Sequence, residues 1–237
     1  MTWGNHFLDT LEPADAAALG PCLRAVEVEA GQTLIVQDAE VVEVHFPADA
    51  QLANLVRFAD GRAIETAMVG REGLSGLAPF MAGVPCGWEV TTGLAGTVFA
   101  APAGVLRARM RASPPLLDAL LRLSYLYQMQ AAQHAACNAA HAALPRVARW
   151  LLIASDLTPG EPVHLTQEEL AGLLGAQRTT VNEAASQLKD SGAIRYARGV
   201  VRILDRPRLE AQACECYAME RRRIAAAGAL PPAPAAS

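Results

Sequence analysis

Side chains that could bind nucleic acid are concentrated in one stretch, Leu165–Leu204. A helix predicted within it carries short or forked hydrogen-bonding groups on one face and apolar groups on the other. Such groups can hydrogen-bond to base edges in the major groove of double-stranded DNA. They are Gln177, Arg178, Thr179, Asn182, Glu183 and Ser186. These residue types indicate DNA recognition, and the neighbouring elements must present this helix to a groove.

A second group of residues has the chemistry of metal ligands or redox groups. His134, Cys137 and His141 share one face of a predicted helix and could form a metal, haem or redox site across a dimer. We favour the simpler interpretation, in which Cys137 packs as a small apolar residue and the histidines form hydrogen bonds. Cys214 and Cys216 form a Cys-x-Cys pair, which makes a poor disulfide ring and lacks the second ligand pair of a zinc site. We therefore expect no metal unless Cys137 or a partner chain adds a ligand, and a redox- or metal-sensing regulator is the alternative.

Capping, turn and periodicity signals predict the elements around the candidate DNA-reading helix. Thr166 and Glu169 form a capping box at the start of a short helix, which Gly175 ends. Two alternating runs around Arg198-Gly199 predict a hairpin. The predicted order is helix Gln167–Leu174, turn Gly175–Gln177, helix Arg178–Ser191, strand Ala193–Tyr196 and strand Val200–Leu204. This order is typical of a winged helix-turn-helix.

These residues resemble the C-terminal motif of the Crp/Fnr family of bacterial transcription regulators, T-x-x-E-[LI]-A-x-x-[LV]-G-x-x-R-x-T-V. The matching positions are Thr166, Glu169, Leu170, Ala171, Leu174, Gly175, Arg178, Thr180 and Val181. The resemblance implies an α+β chain with an N-terminal antiparallel jelly-roll β-barrel, a long dimerisation helix and a C-terminal winged helix-turn-helix. The corresponding ranges are 1–112 for the effector domain, 113–144 for the dimerisation helix, 145–210 for the DNA-binding domain and 211–237 for a C-terminal helix and disordered tail. The residues themselves predict a terminal helix over Asp205–Arg223 and a disordered tail, rich in Ala and Pro, over Ala225–Ser237.

The resemblance also implies how DNA would be read. Family members that bind the best-known half-site carry Glu after the recognition Arg and a second Arg four residues later, where this chain has Thr179 and Glu183. We therefore expect a different, near-palindromic operator bound by a homodimer, with RNA polymerase as a further partner if the protein is an activator. Base contacts are expected from Arg178, Thr179, Asn182 and Glu183, and phosphate contacts from Gln177, Thr180 and Arg198.

Short β-type runs separated by turn residues predict the antiparallel effector domain between residues 26 and 105. These runs are Thr33–Val36, Val41–Phe46, Gln51–Phe58, Ile64–Val69, Trp88–Thr92 and Gly96–Ala101. A barrel metalloenzyme would need His and carboxylate ligands clustered on such strands, and they offer only His45. Enzymatic activity is therefore not expected.

Some Crp/Fnr proteins bind a cyclic nucleotide through a Gly-Glu pair and a later Arg-[Ser/Thr]-Ala segment. The effector-pocket candidates at the first position are Arg71, Glu72 and Gly73. The second segment, Pro85–Val90, contains no arginine, and a phosphate buried opposite Glu89 would have no cationic partner. We expect no cAMP binding in the family's usual manner, and no cofactor.

One long helix is predicted from Pro114 to Leu144, with a break at Pro145. Residues at 4-3-4-3 spacing along it are typical of the contact line of a two-stranded coiled coil. The predicted dimer seam consists of Leu116, Leu120, Leu123, Tyr127, Gln130 and His134. A homodimer would place two DNA-reading helices about one DNA turn apart.

Composition sets broad limits on the class of protein. The hydrophobic fraction of 52% is that of a globular chain, and the formal net charge is −4. Residues 139–237 carry 12 Lys and Arg against 10 Asp and Glu, whereas residues 1–138 carry 8 against 14, so the basic surplus accompanies the predicted DNA-binding domain. Five scattered cysteines and a first segment without signal-peptide character fit a reduced, cytoplasmic setting, and the polar residues among 123–145 argue against a membrane span.

Overall fold

The computed structural model of the protein describes residues 2–157, 162–164, 167–174, 176–197 and 199–226. The chain begins with α1 (His6–Asp9), α2 (Pro13–Leu19) and a single 3-10 turn, Gly20–Cys22. Asn5 caps α1, because its side chain accepts a hydrogen bond from the Leu8 amide at 3.1 Å. The same side chain donates to the carbonyls of Pro47 and Gly73 at 2.8 and 2.9 Å, which fixes the N-terminal segment against the strands that follow.

Seven strands form two antiparallel sheets in the N-terminal region. One has the order β1-β7-β3 and the other the order β2-β6-β4-β5. The strands are β1 (Arg24–Val28), β2 (Thr33–Ile35), β3 (Glu43–Pro47), β4 (Gln51–Arg57), β5 (Ala63–Val69), β6 (Glu89–Leu94) and β7 (Gly96–Pro102), with helix α3 (Leu77–Ala82) between β5 and β6. The antiparallel jelly-roll prediction is confirmed, but in the described residues the strands make two sheets and not one closed barrel.

Apolar side chains from both sheets and from the following helices share one core. Phe46 on β3, Leu52 on β4, Val90 on β6 and Val98 on β7 are fully buried in it. Strands β3 and β6 are buried over four consecutive residues each, so both of their faces are covered there. The predicted strand list omitted β1, whose burial pattern shows only Val28 fully buried and so gives a weak alternating signal.

Two helices lead out of the sheets, α4 (Ala103–Ala112) and α5 (Pro114–Ala140). Ser113 caps α5 by accepting from the Leu116 amide at 3.4 Å, and its hydroxyl donates to Asp15 at 2.8 Å. Asp15, which is 2% exposed, also accepts from Arg109 at 2.6 Å. With 27 residues, α5 is about 40 Å long at 1.5 Å per residue.

The prediction of one helix reaching Leu144 with a break at Pro145 is wrong by a few residues. Helix α5 ends at Ala140, where His141 is extended with φ −113° and ψ 146°, and α6 (Ala143–Leu157) already contains Pro145. Proline fits there because the first turn of a helix has no intrahelical acceptor for its amide groups.

The C-terminal region contains the predicted helix-turn-helix and hairpin. The elements are β8 (Val163–His164), α7 (Gln167–Leu174), α8 (Arg178–Asp190), β9 (Ile194–Ala197) and β10 (Val200–Ile203), with sheet order β8-β10-β9. A second core holds them together, built on Val147, Leu151, Leu170, Val181 and Leu188. Thr166, Gly175 and Arg198, and the side chain of Glu169, lie outside the described residues.

Two helices close the described chain, α9 (Arg206–Gln212) and α10 (Cys216–Ala226). The prediction of one continuous helix from Asp205 to Arg223 is wrong, because the backbone is extended at Ala213 with ψ 154°. Helix α10 also includes Ala225, the first residue of the predicted disordered tail; residues 227–237 lie outside the described residues. No helix in the described ranges has both the length and the apolar character needed to cross a membrane.

Candidate nucleic-acid interface

Helix α8 separates a buried apolar face from an exposed polar face. Val181, Ala184, Ala185 and Leu188 are at most 3% exposed, and all of them except Ala185 belong to the C-terminal core. The exposed residues of the first turns are Gln177, Arg178, Thr179, Thr180 and Glu183. The 3.6-residue period of the sequence therefore gives the correct buried face, and these five side chains, all predicted to contact DNA, are accessible.

Asn182 differs from the other predicted base-contacting residues. It is half-buried, and its Oδ1 atom is shielded from solvent without a hydrogen-bond partner. An amide held in this way has less hydrogen-bonding capacity to offer a base than the exposed Arg178 or Thr179.

A buried arginine joins the long helix to the helix-turn-helix. Arg146, 9% exposed, donates from Nη2 to the carbonyl of Leu174 at the end of α7 and from Nε to Asn138 Oδ1 on α5 at 3.1 Å. The carbonyls at a helix end lack intrahelical partners, so the guanidinium satisfies one of them. A displacement of α5 at Asn138 would therefore reach the turn that precedes α8.

The hairpin contributes two cations that the sequence prediction overlooked. Arg195 on β9 and Arg202 on β10 are directly opposite one another, and both are exposed. Like charges opposed across strands are destabilising unless an anion neutralises them. Neither arginine forms an ion pair with a described residue. The alternation of residues along the two predicted strands could have shown from the sequence that these arginines lie opposite one another.

Three consecutive arginines on α10, Arg221–Arg223, are less available to contact phosphates than three fully solvated side chains would be. Arg221 forms an ion pair with Asp156 at 2.7 Å, and Arg223 donates to Gln133 on α5 at 2.8 Å. Arg222 is exposed. These contacts hold α10 on α5 and α6 and leave only Arg222 free for phosphate contact among the three.

The effector-pocket candidates lie beneath helix α5. A Cβ built on Gly73 would come within 2.0 Å of Tyr127 Oη, so the phenol rests directly on this glycine. Glu72 accepts from the Gly70 amide at 2.9 Å, while its second carboxylate oxygen is buried without a hydrogen-bond partner. Burial raises the pKa of Glu72, and burial together with the nearby Glu72 charge raises that of Tyr127. Arg71 is half-buried beside them.

Two further titratable groups of the effector domain are already satisfied. Glu89 forms a two-point ion pair with Arg57, with N to O distances of 2.7 and 2.6 Å. His45 is 7% exposed, its Nδ1 lies 3.3 Å from Ser75 Oγ, and burial lowers its pKa to about 4. Both side chains are engaged in contacts within the fold, Glu89 with Arg57 and His45 with Ser75.

The predicted dimer seam faces this chain's own effector domain. Leu116, Leu120 and Leu123 are at most 4% exposed and belong to the N-terminal core. Tyr127 Oη accepts from the Leu74 amide at 3.1 Å and donates to the Leu74 carbonyl at 3.2 Å. Leu116, Leu120 and Leu123 are therefore not available to a second protomer in this arrangement, whereas the half-buried Tyr127 is partly accessible.

The last two residues of the predicted seam also lie close to other parts of the same chain. Gln130 is half-buried, and His134 Nε2 lies 3.7 Å from Glu220 Oε1 on α10. Glu220 accepts from Arg149 at 2.5 Å, and the side chains of this pair are 3% and 6% exposed. Helix α10 therefore covers the side of α6 that carries Arg149.

Four of the candidate ligand residues come together where α5, α9 and α10 meet. The side-chain ligand atoms of Cys137, His141, Cys214 and Cys216 all lie within 4.8 Å of one another. The three cysteines form a small buried cluster of their own. His134 is not part of it, so the structure replaces the predicted His134, Cys137 and His141 group with a set drawn from two distant segments.

Comparison with known proteins agrees with the C-terminal geometry. Residues 145–212 match the Crp-like helix-turn-helix domain family. Comparison with curated protein sequences gives no significant match.

Solved structures of similar fold cover most of the chain. FixK2 from Bradyrhizobium japonicum has a TM-score of 0.70 at 17% identity, with 81% of this chain and 98% of FixK2 covered. A Crp/Fnr-family putative transcriptional regulator from Eubacterium rectale has a TM-score of 0.69 at 18% identity, covering 86% and 95%. A Crp/Fnr-family regulator from Thermus thermophilus has a TM-score of 0.68 at 21% identity, covering 80% and 98%. The chain therefore carries a Crp-like helix-turn-helix domain at residues 145–212 and shares its overall fold with these solved structures.

Proposed function

We propose that the protein is a homodimeric, sequence-specific DNA-binding transcription regulator whose N-terminal domain responds to a signal other than cAMP bound in the family's usual manner. The exposed hydrogen-bonding face of α8, held by a buried core within a Crp-like helix-turn-helix domain, carries this proposal. In this proposal the chain is divided into an effector domain (1–112), a dimerisation helix (113–144), a DNA-binding domain (145–210) and a C-terminal segment (211–237).

Arg178 has the main recognition role in this proposal. It is exposed in the first turn of α8, the part of a recognition helix that contacts base edges. A bidentate contact from arginine to guanine contributes about 1–3 kcal/mol of discrimination against other bases. Thr179 and Glu183, exposed on the same face, and the half-buried Asn182 tune the neighbouring positions, while Gln177, Thr180, Arg198, Arg195 and Arg202 contact phosphates.

The test uses DNA sequences selected from a random pool by the full-length protein. Arg178→Ala is expected to weaken binding to the selected sequence by about 5- to 150-fold, as the loss of 1–3 kcal/mol requires. Arg111→Ala is the matched control, because Arg111 is an exposed arginine on α4 in the effector domain. Equal affinity and sequence preference in Arg178→Ala and wild type would contradict the proposal.

We place the dimer interface on the exposed face of α5, opposite the predicted seam. Leu121 and Tyr125 are apolar groups with 51% and 65% exposure. Together with four smaller exposed residues they repeat at 4-3-4-3-4 spacing, the pattern of a two-stranded coiled coil. The full stripe is Leu121, Tyr125, Gln128, Ala132, Ala135 and Ala139. Its alanines allow the backbones of two helices to approach closely.

Sedimentation equilibrium tests this interface. Leu121→Asp is expected to shift the protein from dimer to monomer, because it places a charge at one of the two large apolar residues of the contact. Val42→Asp is the control, since Val42 is 73% exposed on the effector domain away from α5. A Leu121→Asp protein that dimerises as tightly as the control would show that this stripe is not the interface.

The contacts around Gly73 and Glu89 in the effector domain support a signal other than cAMP. Tyr127 occupies the space over Gly73, and Glu89 is neutralised by Arg57, which leaves no arginine committed to a phosphate there. We expect no heat of binding when cAMP is titrated into the full-length protein by calorimetry. Saturable binding would refute this part of the proposal while leaving DNA recognition intact.

A signal in the effector domain has two routes to the DNA-binding domain. Met68 of β5 is buried in the C-terminal core, and a Cβ on Gly172 of α7 would lie 3.3 Å from the Ala63 carbonyl. The second route is the Asn138, Arg146 and Leu174 hydrogen-bond chain. Both routes end next to the turn that orients α8.

A further inference from the structure

We propose that Cys137, His141, Cys214 and Cys216 form a tetrahedral Zn²⁺ site that fastens the C-terminal helix to the end of α5. The four side chains supply three thiolates and one imidazole, a ligand set of structural zinc sites. All four ligand atoms lie within 4.8 Å of one another, although 77 residues separate Cys137 from Cys214.

The distances within the group match a metal polyhedron. Cys137 Sγ and Cys214 Sγ are 3.5 Å apart, and Cys216 Sγ is 3.7 Å from His141 Nδ1. With Zn–S near 2.3 Å and Zn–N near 2.05 Å, an ideal tetrahedron has edges of about 3.8 Å between sulfurs and about 3.6 Å between sulfur and nitrogen. A cation at the centre therefore requires only small side-chain shifts.

The backbone around the ligands explains how they converge. Cys137 and His141 are one helical turn apart at the end of α5, and the extended residue at 141 turns its imidazole back toward Cys137. The break at Ala213 separates α9 from α10, which places Cys214 in the connecting turn and Cys216 at the first position of α10. The partial positive charge of a helix N-terminus favours a thiolate there.

The surrounding polar groups are those of a metal site's outer shell. His141 Nε2, on the ring edge away from the thiols, lies 3.3 Å from Glu215 Oε1. A carboxylate on the outer nitrogen of a ligating histidine fixes its tautomer and increases its basicity. Gln133 Nε2 donates to Cys216 Sγ at 3.1 Å, a contact that stabilises a thiolate more than a neutral thiol. An apolar cluster of thiols would have no need of either group.

Binding of the cation releases protons from the thiol ligands. Three thiols lose three protons as one Zn²⁺ binds, and the resulting site carries one net negative charge. The charge of the buried Arg149 guanidinium, which also pairs with Glu220, acts on Cys137.

The test measures metal in the reduced, full-length protein, independently of DNA binding. Protein purified without chelator is analysed by mass spectrometry of metals, and Zn²⁺ affinity is measured by competition with a chromophoric chelator. We expect one Zn²⁺ per chain in wild type and in Cys22→Ser, a matched control whose cysteine lies outside the group. Cys216→Ser and His141→Ala are expected to bind Zn²⁺ at least 100-fold more weakly. Circular dichroism checks that each variant is folded.

Cobalt substitution gives a second, spectroscopic readout. Co²⁺ added to the wild-type protein should produce the d–d and thiolate charge-transfer absorption of a tetrahedral site, and Cys216→Ser should lose or shift it. Equal Zn²⁺ uptake by wild type and Cys216→Ser would overturn the proposal. Failure of the reduced wild-type protein to bind Zn²⁺ would also overturn the proposal. This holds equally if peptide analysis finds a Cys137–Cys214 disulfide in the protein before it is reduced.

Discussion

The buried ion pair between Arg149 and Glu220 allows a sharp test of how α10 is held. Their side chains are 6% and 3% exposed, with N to O distance 2.5 Å, and Arg149 Nε already lacks a partner. Glu220→Leu would leave the guanidinium buried and unpaired, which costs about 3–5 kcal/mol. Replacing both members by apolar residues removes the uncompensated charge, so Arg149→Met/Glu220→Leu should be within about 2 kcal/mol of wild type.

Urea unfolding of the C-terminal region, followed by tryptophan fluorescence, measures these differences. The control is Glu43→Leu, which breaks an exposed pair with Arg24, where the side chains are 62% and 37% exposed. That change should cost no more than about 1 kcal/mol. If Glu220→Leu cost as little as the control, or if the double variant were as unstable as the single one, the account of a buried charge pair would be refuted.

The same pair predicts a dependence on pH. Burial alone would raise the pKa of Glu220, but the neighbouring His134 imidazole and the charge of Arg149 lower it below its ordinary value on balance. A group whose folded pKa is lowered stabilises the fold above its unfolded pKa, and this contribution is lost as pH falls through the folded pKa. The stability difference between wild type and Glu220→Leu should therefore shrink in acid, and a difference that grows with falling pH would contradict the assignment.

Three further predictions concern the other contacts. Tyr127→Phe should cost about 1–3 kcal/mol of unfolding free energy, because the Leu74 amide and carbonyl lose their partner; an unchanged denaturation midpoint would show that this contact is unimportant. Arg195→Gln and Arg202→Gln should each reduce the slope of log K against log salt by about 0.9 while preserving sequence preference, and an altered preference would indicate base contact instead. Zn²⁺ at 1,000 times its dissociation constant should stabilise the protein by about 4 kcal/mol, and Cys216→Ser should lose this increment in calorimetric scans.

Local chemistry was sufficient to predict the DNA-binding region. The period of apolar residues in α8 gives its buried face, since Val181, Ala184 and Leu188 must point inward whatever they pack against. The order of two helices and a hairpin followed from turn residues and alternation. The antiparallel effector domain was predicted for the same reason, although its weakly alternating first strand was missed.

Contacts between distant segments could not be predicted from these patterns. Period alone shows that α5 has an apolar face, but Leu120 and Leu123 could have met either a second protomer or the chain's own sheets. Likewise, Arg149 has a carboxylate partner only because α10 folds back over α6.

The sequence by itself determined which face of α8 is buried and which is polar and exposed, because that property depends on residues within a few turns of one another. Only the tertiary structure decided which face of α5 remains exposed and which cysteines and histidines meet. Cys137 and Cys214 are 77 residues apart, and their 3.5 Å approach results from the docking of α10 against α5. Spacing along the chain cannot encode a contact whose geometry is set by the packing of whole helices.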